Sequence, residues 1–131
     1  MKNKKGFTLV EVLGVVAILA LLATIATPAI LATSNRIKKK MYDTKVKLIK
    51  ENAILYAEKE GLTSGRYQVY KLCEYGYVTP DENVGYNGCL KNPYNDKDMG
   101  TACYFNVKKE TNGRYTITFP ESAASPDCKA Q

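Results

Sequence analysis

From Val12 to Ala32 the chain is Val, Leu, Ile and Ala, broken only by Gly14, Thr24, Thr27 and Pro28. A helix rises ~1.5 Å per residue, so about 20 such residues cross the hydrocarbon core of a bilayer. The run therefore predicts a membrane-inserting helix. From Ser34 to about Lys59 the pattern stays helical but becomes one-sided, with no internal Pro or Gly. Met41, Leu48 and Leu55 recur at heptad spacing, as do Tyr42, Ile49 and Tyr56, and they predict two neighbouring apolar stripes. Lys40, Asp43, Lys47, Lys50 and Glu58 fall opposite, while Lys45 and Asn52 interrupt the pattern between the stripes. The two segments read as one long helix ending at Gly61, its second half packed on the rest of the chain. An intermolecular coiled coil is the rival for that half, with only about two to three heptads to support it.

Beyond the helix, Thr63-Ser64-Gly65-Arg66 punctuates the chain, and YQVYKLCEYG predicts a short helix closed by Gly76. Tyr77 to Leu90 is turn-rich, with Thr79-Pro80-Asp81 and Gly85-Tyr86-Asn87-Gly88, and predicts an ordered loop. ACYFNVK (102–108) and RYTITF (114–119), joined across Glu110-Thr111-Asn112-Gly113, predict a β-hairpin. Two strands alone are marginal, so a third strand or the long helix must cover their apolar face.

Composition narrows the chemistry. At 131 residues and 45% apolar the chain has room for about one domain, and much of the apolar content is spent in the first 33 residues. The net charge of +6 includes Lys2, Lys4 and Lys5 ahead of the apolar run, so the basic signal of the remainder is weak. With no histidine, the commonest general base and neutral metal ligand are missing. No nucleophile–base pair is evident, so no enzyme and no cofactor are expected.

A secretory signal peptide would carry a shorter apolar stretch and an A-x-A site. Here alanine recurs at every third position from Ala17 to Ala32, and no such triplet occurs. An ordinary single-pass anchor, the membrane-tether of a monomeric extracellular binding domain, leaves Glu11 unexplained. A carboxylate inside an apolar environment is costly unless something pairs with it.

Lys4-Lys5-Gly6-Phe7-Thr8-Leu9-Val10-Glu11, followed by the long apolar run, resembles the processing site of type IV prepilins and the related pseudopilins of type II secretion. The resemblance implies that a membrane prepilin peptidase cuts between Gly6 and Phe7, and that Phe7 is then N-methylated. Glu11 becomes the fifth residue of the mature chain and, with the new Phe7 amine, sets assembly register: docking beside the amine of an assembled subunit offsets a desolvation penalty of several kcal/mol. Pro28 falls where many pilins carry a helix-kinking proline, predicting a kink or melted turn near residues 24–28. Gly14, Ala17, Ala20, Thr24 and Thr27 share one helix face and suit close helix approach. Arg36, Lys38, Lys39 and Lys40 lie just beyond the span and outnumber the leader lysines, so Lys/Arg bias leaves orientation open. The resemblance places the leader on the cytoplasmic side.

The implied fold is α+β and type IV pilin-like: a long N-terminal helix on a small antiparallel sheet with disulfides. The expected divisions are a leader (1–6), a transmembrane and filament-core helix (7–33), its amphipathic continuation (34–61) and a head (62–131). The implied function is a structural subunit polymerising into a surface filament for adhesion, motility, DNA uptake or protein secretion. Its partners would be copies of itself, other pilin-like subunits, the peptidase, a membrane assembly platform and the lipid bilayer. The chain would reside in the cytoplasmic membrane, head outside, and then in an extracellular filament.

With the head outside the cytoplasm, Cys73, Cys89, Cys103 and Cys128 imply two disulfides. Three connectivities are open, and the one expected joins Cys73 to Cys89 and Cys103 to Cys128. A zinc site built from the four lacks any C-x-x-C spacing. Asn92, Asn95, Asp96 and Asp98 offer oxygens at close spacing and loosely resemble the calcium loop of major pseudopilins, although Asn-Pro and Asn-Asp are also ordinary turn formers. Ten tyrosines could stack on single-stranded nucleic acid, or fill the layer between sheet and helix.

Overall fold

The computed structural model describes residues 6–119 and 126–129, apart from the side chain of Ala26. Of the expected leader (1–6), residues 1–5 lie outside the described residues. The chain divides into two compact units, Met1–Ile37 and Lys38–Gln131, and a single helix, α1 (Leu9–Glu60), runs through the boundary.

In the first unit every described side chain is exposed except that of Ser34, which is half-buried. Leu13, Leu19, Leu22 and Ile25 all lie open, so apolar groups cover the helix on every side and find no partner within the unit. The helix continues through Pro28, so of the kink or melted turn expected near residues 24–28 the melted turn does not occur. Pro28 has no N–H for the Thr24 carbonyl. The neighbouring turns are reinforced instead by side chains: the Thr24 hydroxyl donates to the Leu21 carbonyl at 2.7 Å and the Thr27 hydroxyl to Ala23 at 2.6 Å.

The second unit builds a core around the other half of α1. Tyr42, Ile49, Ala53, Tyr56 and Ala57 are buried. Of the two expected stripes only that of Tyr42, Ile49 and Tyr56 enters the core, where Tyr42 meets Tyr94 and Cys128 and Tyr56 meets Tyr67, Tyr75 and Tyr77; Met41, Leu48 and Leu55 stay exposed. The interrupting residues have local reasons. Lys45 turns its ammonium onto the Asp81 carboxylate and the Lys91 carbonyl, and Asn52 donates to Leu48 at 2.8 Å. At the helix end Gly61 adopts φ 61°, and the Leu62 N–H reaches back to the Ala57 carbonyl at 3.0 Å, closing the C-terminus with a left-handed residue that glycine adopts without strain.

The sheet has three antiparallel strands in the order β1 (Gly65–Gln68), β2 (Tyr104–Lys109), β3 (Tyr115–Thr118). Gly65 opposes Val107 and Gln68 opposes Tyr104 on one side of β2; Asn106 opposes Thr118 and Lys109 opposes Tyr115 on the other. The hairpin thus forms where its alternation and turn place it. The short helix expected over YQVYKLCEYG shrinks to α2 (Tyr70–Glu74), since Tyr67 and Gln68 pair with β2 instead. Ladder hydrogen bonds from a distant strand override local helical pattern. Phe105 and Val107 alternate inward from β2 and meet Val69, Leu72, Met99 and Phe119.

The long segment between α2 and β2 is ordered by polar side chains. Asp98 Oδ1 accepts from the N–H groups of Cys89 and Gly100 at 3.0 and 2.9 Å. A Cβ on Gly100 would meet the Asn87 carbonyl oxygen at 2.6 Å, so the backbones approach where no side chain fits. Asn92 is fully buried; its amide donates to the Asp127 and Lys129 carbonyls at 2.7 and 3.0 Å and its oxygen accepts from the Tyr94 N–H at 3.0 Å. Disulfides join Cys73 to Cys89 and Cys103 to Cys128. The second ties the 3₁₀ turn Pro126–Cys128 to the start of β2, where the Tyr42 hydroxyl also donates to the Cys128 carbonyl. Loops of this length contribute about 3 kcal/mol each when closed by a disulfide.

Two outcomes are expected. Asn92→Ala strands two tail carbonyls and should lower stability by about 2 kcal/mol or more, read from urea unfolding of the full chain in micelles by tyrosine fluorescence. Partial burial pushes the Asp81 carboxyl up, but the Lys45 ammonium and the Lys91 N–H outweigh it and hold the group below its ordinary range. A depressed folded value stabilises fully above the unfolded value of about 3.9, and the contribution is lost as pH falls through the folded one. The melting temperature of the wild type should therefore fall more steeply below about pH 4 than that of Asp81→Asn; parallel curves would refute the coupling.

Candidate processing and assembly site

The residues singled out at the N-terminus lie at the start of α1. Gly6, Phe7 and Thr8 precede the helix, whose first residue is Leu9. Phe7 is 89% exposed, so the Gly6–Phe7 peptide is flanked by a side chain that nothing in this unit covers. Thr8 and Glu11 bond reciprocally: the Thr8 N–H donates to Glu11 Oε2 at 3.1 Å, and the Glu11 N–H donates to Thr8 Oγ1 at 3.3 Å. The Val12 N–H reaches the Thr8 carbonyl at 3.2 Å and starts the helical ladder.

This is a capping box, with Thr8 as N-cap and Glu11 three residues on. It satisfies two backbone donors that the first turn would otherwise leave without acceptors. It also places the carboxylate at the positive end of the helix dipole. Glu11 therefore has a partner inside its own chain. The signal was present in the sequence as Thr-x-x-Glu before an apolar run, and reading Glu11 for assembly alone misses Thr8.

The other candidates divide. Gly14, Ala17 and Ala20 are exposed on α1, and the hydroxyls of Thr24 and Thr27 are turned onto their own helix. The four oxygen-bearing residues of the 92–98 loop are occupied internally. Asn92 holds the tail and Asn95 Oδ1 accepts from the Lys97 N–H at 3.0 Å. Asp96 lies 3.7 Å from the Lys91 ammonium, and Asp98 organises the turn at Cys89. Among the described residues no group of three or more acidic, cysteine or histidine side chains could hold a metal. The tyrosines are used largely inside the head: Tyr56 lies against Tyr67, Tyr75 and Tyr77 with ring centroids 6.4, 5.3 and 5.4 Å away, and Tyr42 against Tyr94 at 5.6 Å. Tyr86, 95% exposed, stands apart.

Removing the threonine acceptor should loosen the first turn without moving the head. Thr8→Val should raise the exchange rate of the Glu11 amide about fivefold, the equivalent of about 1 kcal/mol of cap, in hydrogen-exchange NMR of the micelle-bound chain. Thr8→Ser should restore it; equal rates in all three would show that the box contributes nothing.

No curated protein and no solved structure matches the chain. Residues 1–27 match the family model described as the prokaryotic N-terminal methylation motif. With its Gly6–Phe7 junction, capped Glu11 and apolar helix, the chain carries the N-terminal signature of type IV prepilins and pseudopilins.

Proposed function

We propose that this protein is a structural subunit, and not an enzyme, that is trimmed between Gly6 and Phe7, N-methylated at Phe7, and polymerised through α1 into a pilus or pseudopilus. The observation that carries this reading is the match of residues 1–27 to the methylation motif. The exposed apolar helix supports it, because that surface needs either lipid or neighbouring helices around it. The proposed divisions are a leader (1–6), a membrane and filament-core helix (7–33), its continuation (34–61) and a head (62–131). The subunit rests in the cytoplasmic membrane with its head outside, and a membrane assembly platform moves it into an extracellular filament. The filament serves adhesion, motility, DNA uptake or protein secretion.

Chemically, cleavage turns an amide into a cationic amine four residues from Glu11. In the bilayer the Thr8 N–H holds the carboxylate of the waiting subunit. On entry into the filament the amine of an assembled neighbour replaces that neutral donor with a charged one, and charge-assisted hydrogen bonds are about twice as strong. A subunit docked out of register leaves a carboxylate in apolar surroundings at a cost of several kcal/mol.

The protein sheared from cells, or recovered from their membranes, should begin at methylated Phe7 by intact mass and N-terminal sequencing. A chain retaining residues 1–6 in cells with an active prepilin peptidase would leave only a membrane-tethered monomer. Glu11→Gln should be processed normally yet fall more than about tenfold in the sheared fraction, as the loss of a buried charge pair requires.

A further inference from the structure

Arg36, Lys38, Lys39 and Lys40 place four cations within five residues of α1, about 6 Å of helix rise. At 3.6 residues per turn they cover more than half of the helix circumference, the remainder belonging to Ile37 and Met41. Lys45, Lys47, Lys71, Lys91 and Lys108 each sit beside a carboxylate. Among the described residues none of the four collar cations has such a partner. Arg36 stands at i,i+3 from Lys39 and at i,i+4 from Lys40, spacings at which like charges destabilise a helix. Asp43, at i,i+4 from Lys39 and i,i+3 from Lys40, is the one carboxylate within a turn of the collar, which leaves a net excess of positive charge that an anionic surface would balance.

Sequence position says where that charge lies. The apolar run ends at Ala32, and Lys38 follows after about 9 Å of helix rise. Side chains on a helix lean toward its N-terminus, here toward the apolar run, and a lysine stem reaches back further while keeping its ammonium polar. The cations then meet a layer about 5–8 Å deep, the headgroup region on that side of a bilayer. We propose that the collar of Arg36, Lys38, Lys39 and Lys40 binds anionic phospholipid headgroups of the leaflet on the C-terminal side of the span, fixing the depth of the waiting subunit. A compact collar suits a planar layer, where a stripe along the helix would not. The inference rests on the reading of the apolar run as membrane-inserted.

The test reconstitutes the full chain in phosphatidylcholine vesicles and compares the association of acyl-chain spin-labelled phosphatidylglycerol and phosphatidylcholine by electron paramagnetic resonance. Phosphatidylglycerol should be preferred about fivefold, weakening at high salt, and the Arg36→Gln/Lys38→Gln/Lys39→Gln/Lys40→Gln variant should approach equality. These positions lie outside the core, and unchanged circular dichroism with both disulfides present would verify the fold. Equal association of the two lipids in the wild type overturns the proposal. So does a preference that survives in the quadruple variant, which would assign it to cations outside the collar. A chain that does not float with the vesicles overturns the membrane reading itself, a failure distinct from the loss of lipid preference.

Discussion

A helix that is apolar on every side cannot bury its own surface, and that constraint organises this protein. Along the first half of α1 the exposed valines, leucines and isoleucines have no inward direction, so no arrangement within the unit shields them. Along the second half the same helix confines its buried side chains to one face, and a three-stranded sheet with its loops covers that face. The head completes the second half; in the proposed function, lipid or neighbouring helices complete the first.

Charge at the helix start follows from the same constraint. A carboxylate ahead of an apolar run must have a donor, and the nearest is the N–H of Thr8, three residues away. The reciprocal bond makes Glu11 part of the helix cap as well as the group on which the assembly reading depends. A neutral, local partner is one that a charged, intermolecular partner can displace. The cap therefore gives the proposed register mechanism a defined starting state.

The head shows how a small core is held when its sheet is short. Strands of four, six and four residues bury few side chains, and much of the order comes from polar groups within loops. Asn92 gathers the tail, Asp98 shapes the turn at Cys89, and Asp81 receives Lys45 of the helix. Two disulfides close the same segments covalently. Two of the four residues that suggested a calcium loop, Asn92 and Asp98, also build this polar scaffold.

The sequence alone was enough for the long helix, its end at Gly61, the hairpin and the processing signature. Each rests on contacts within a few residues: periodicity, a left-handed C-terminal glycine, a turn between alternating strands, and a short motif. The tertiary structure decided what depends on partners distant in the chain. It converted Tyr67 and Gln68 from helix to strand by pairing them with Phe105 and Tyr104. It chose the Tyr42 stripe over the Met41 stripe, because the residues that pack on the helix, Tyr94 and Cys128 at one end and Tyr67, Tyr75 and Tyr77 at the other, lie on one face. It explained Lys45 by Asp81 and Asn92 by a tail some 35 residues away. Local periodicity determines which side chains share a face; only the packed chain determines which of those faces finds something to cover it, since that choice belongs to the opposing surface.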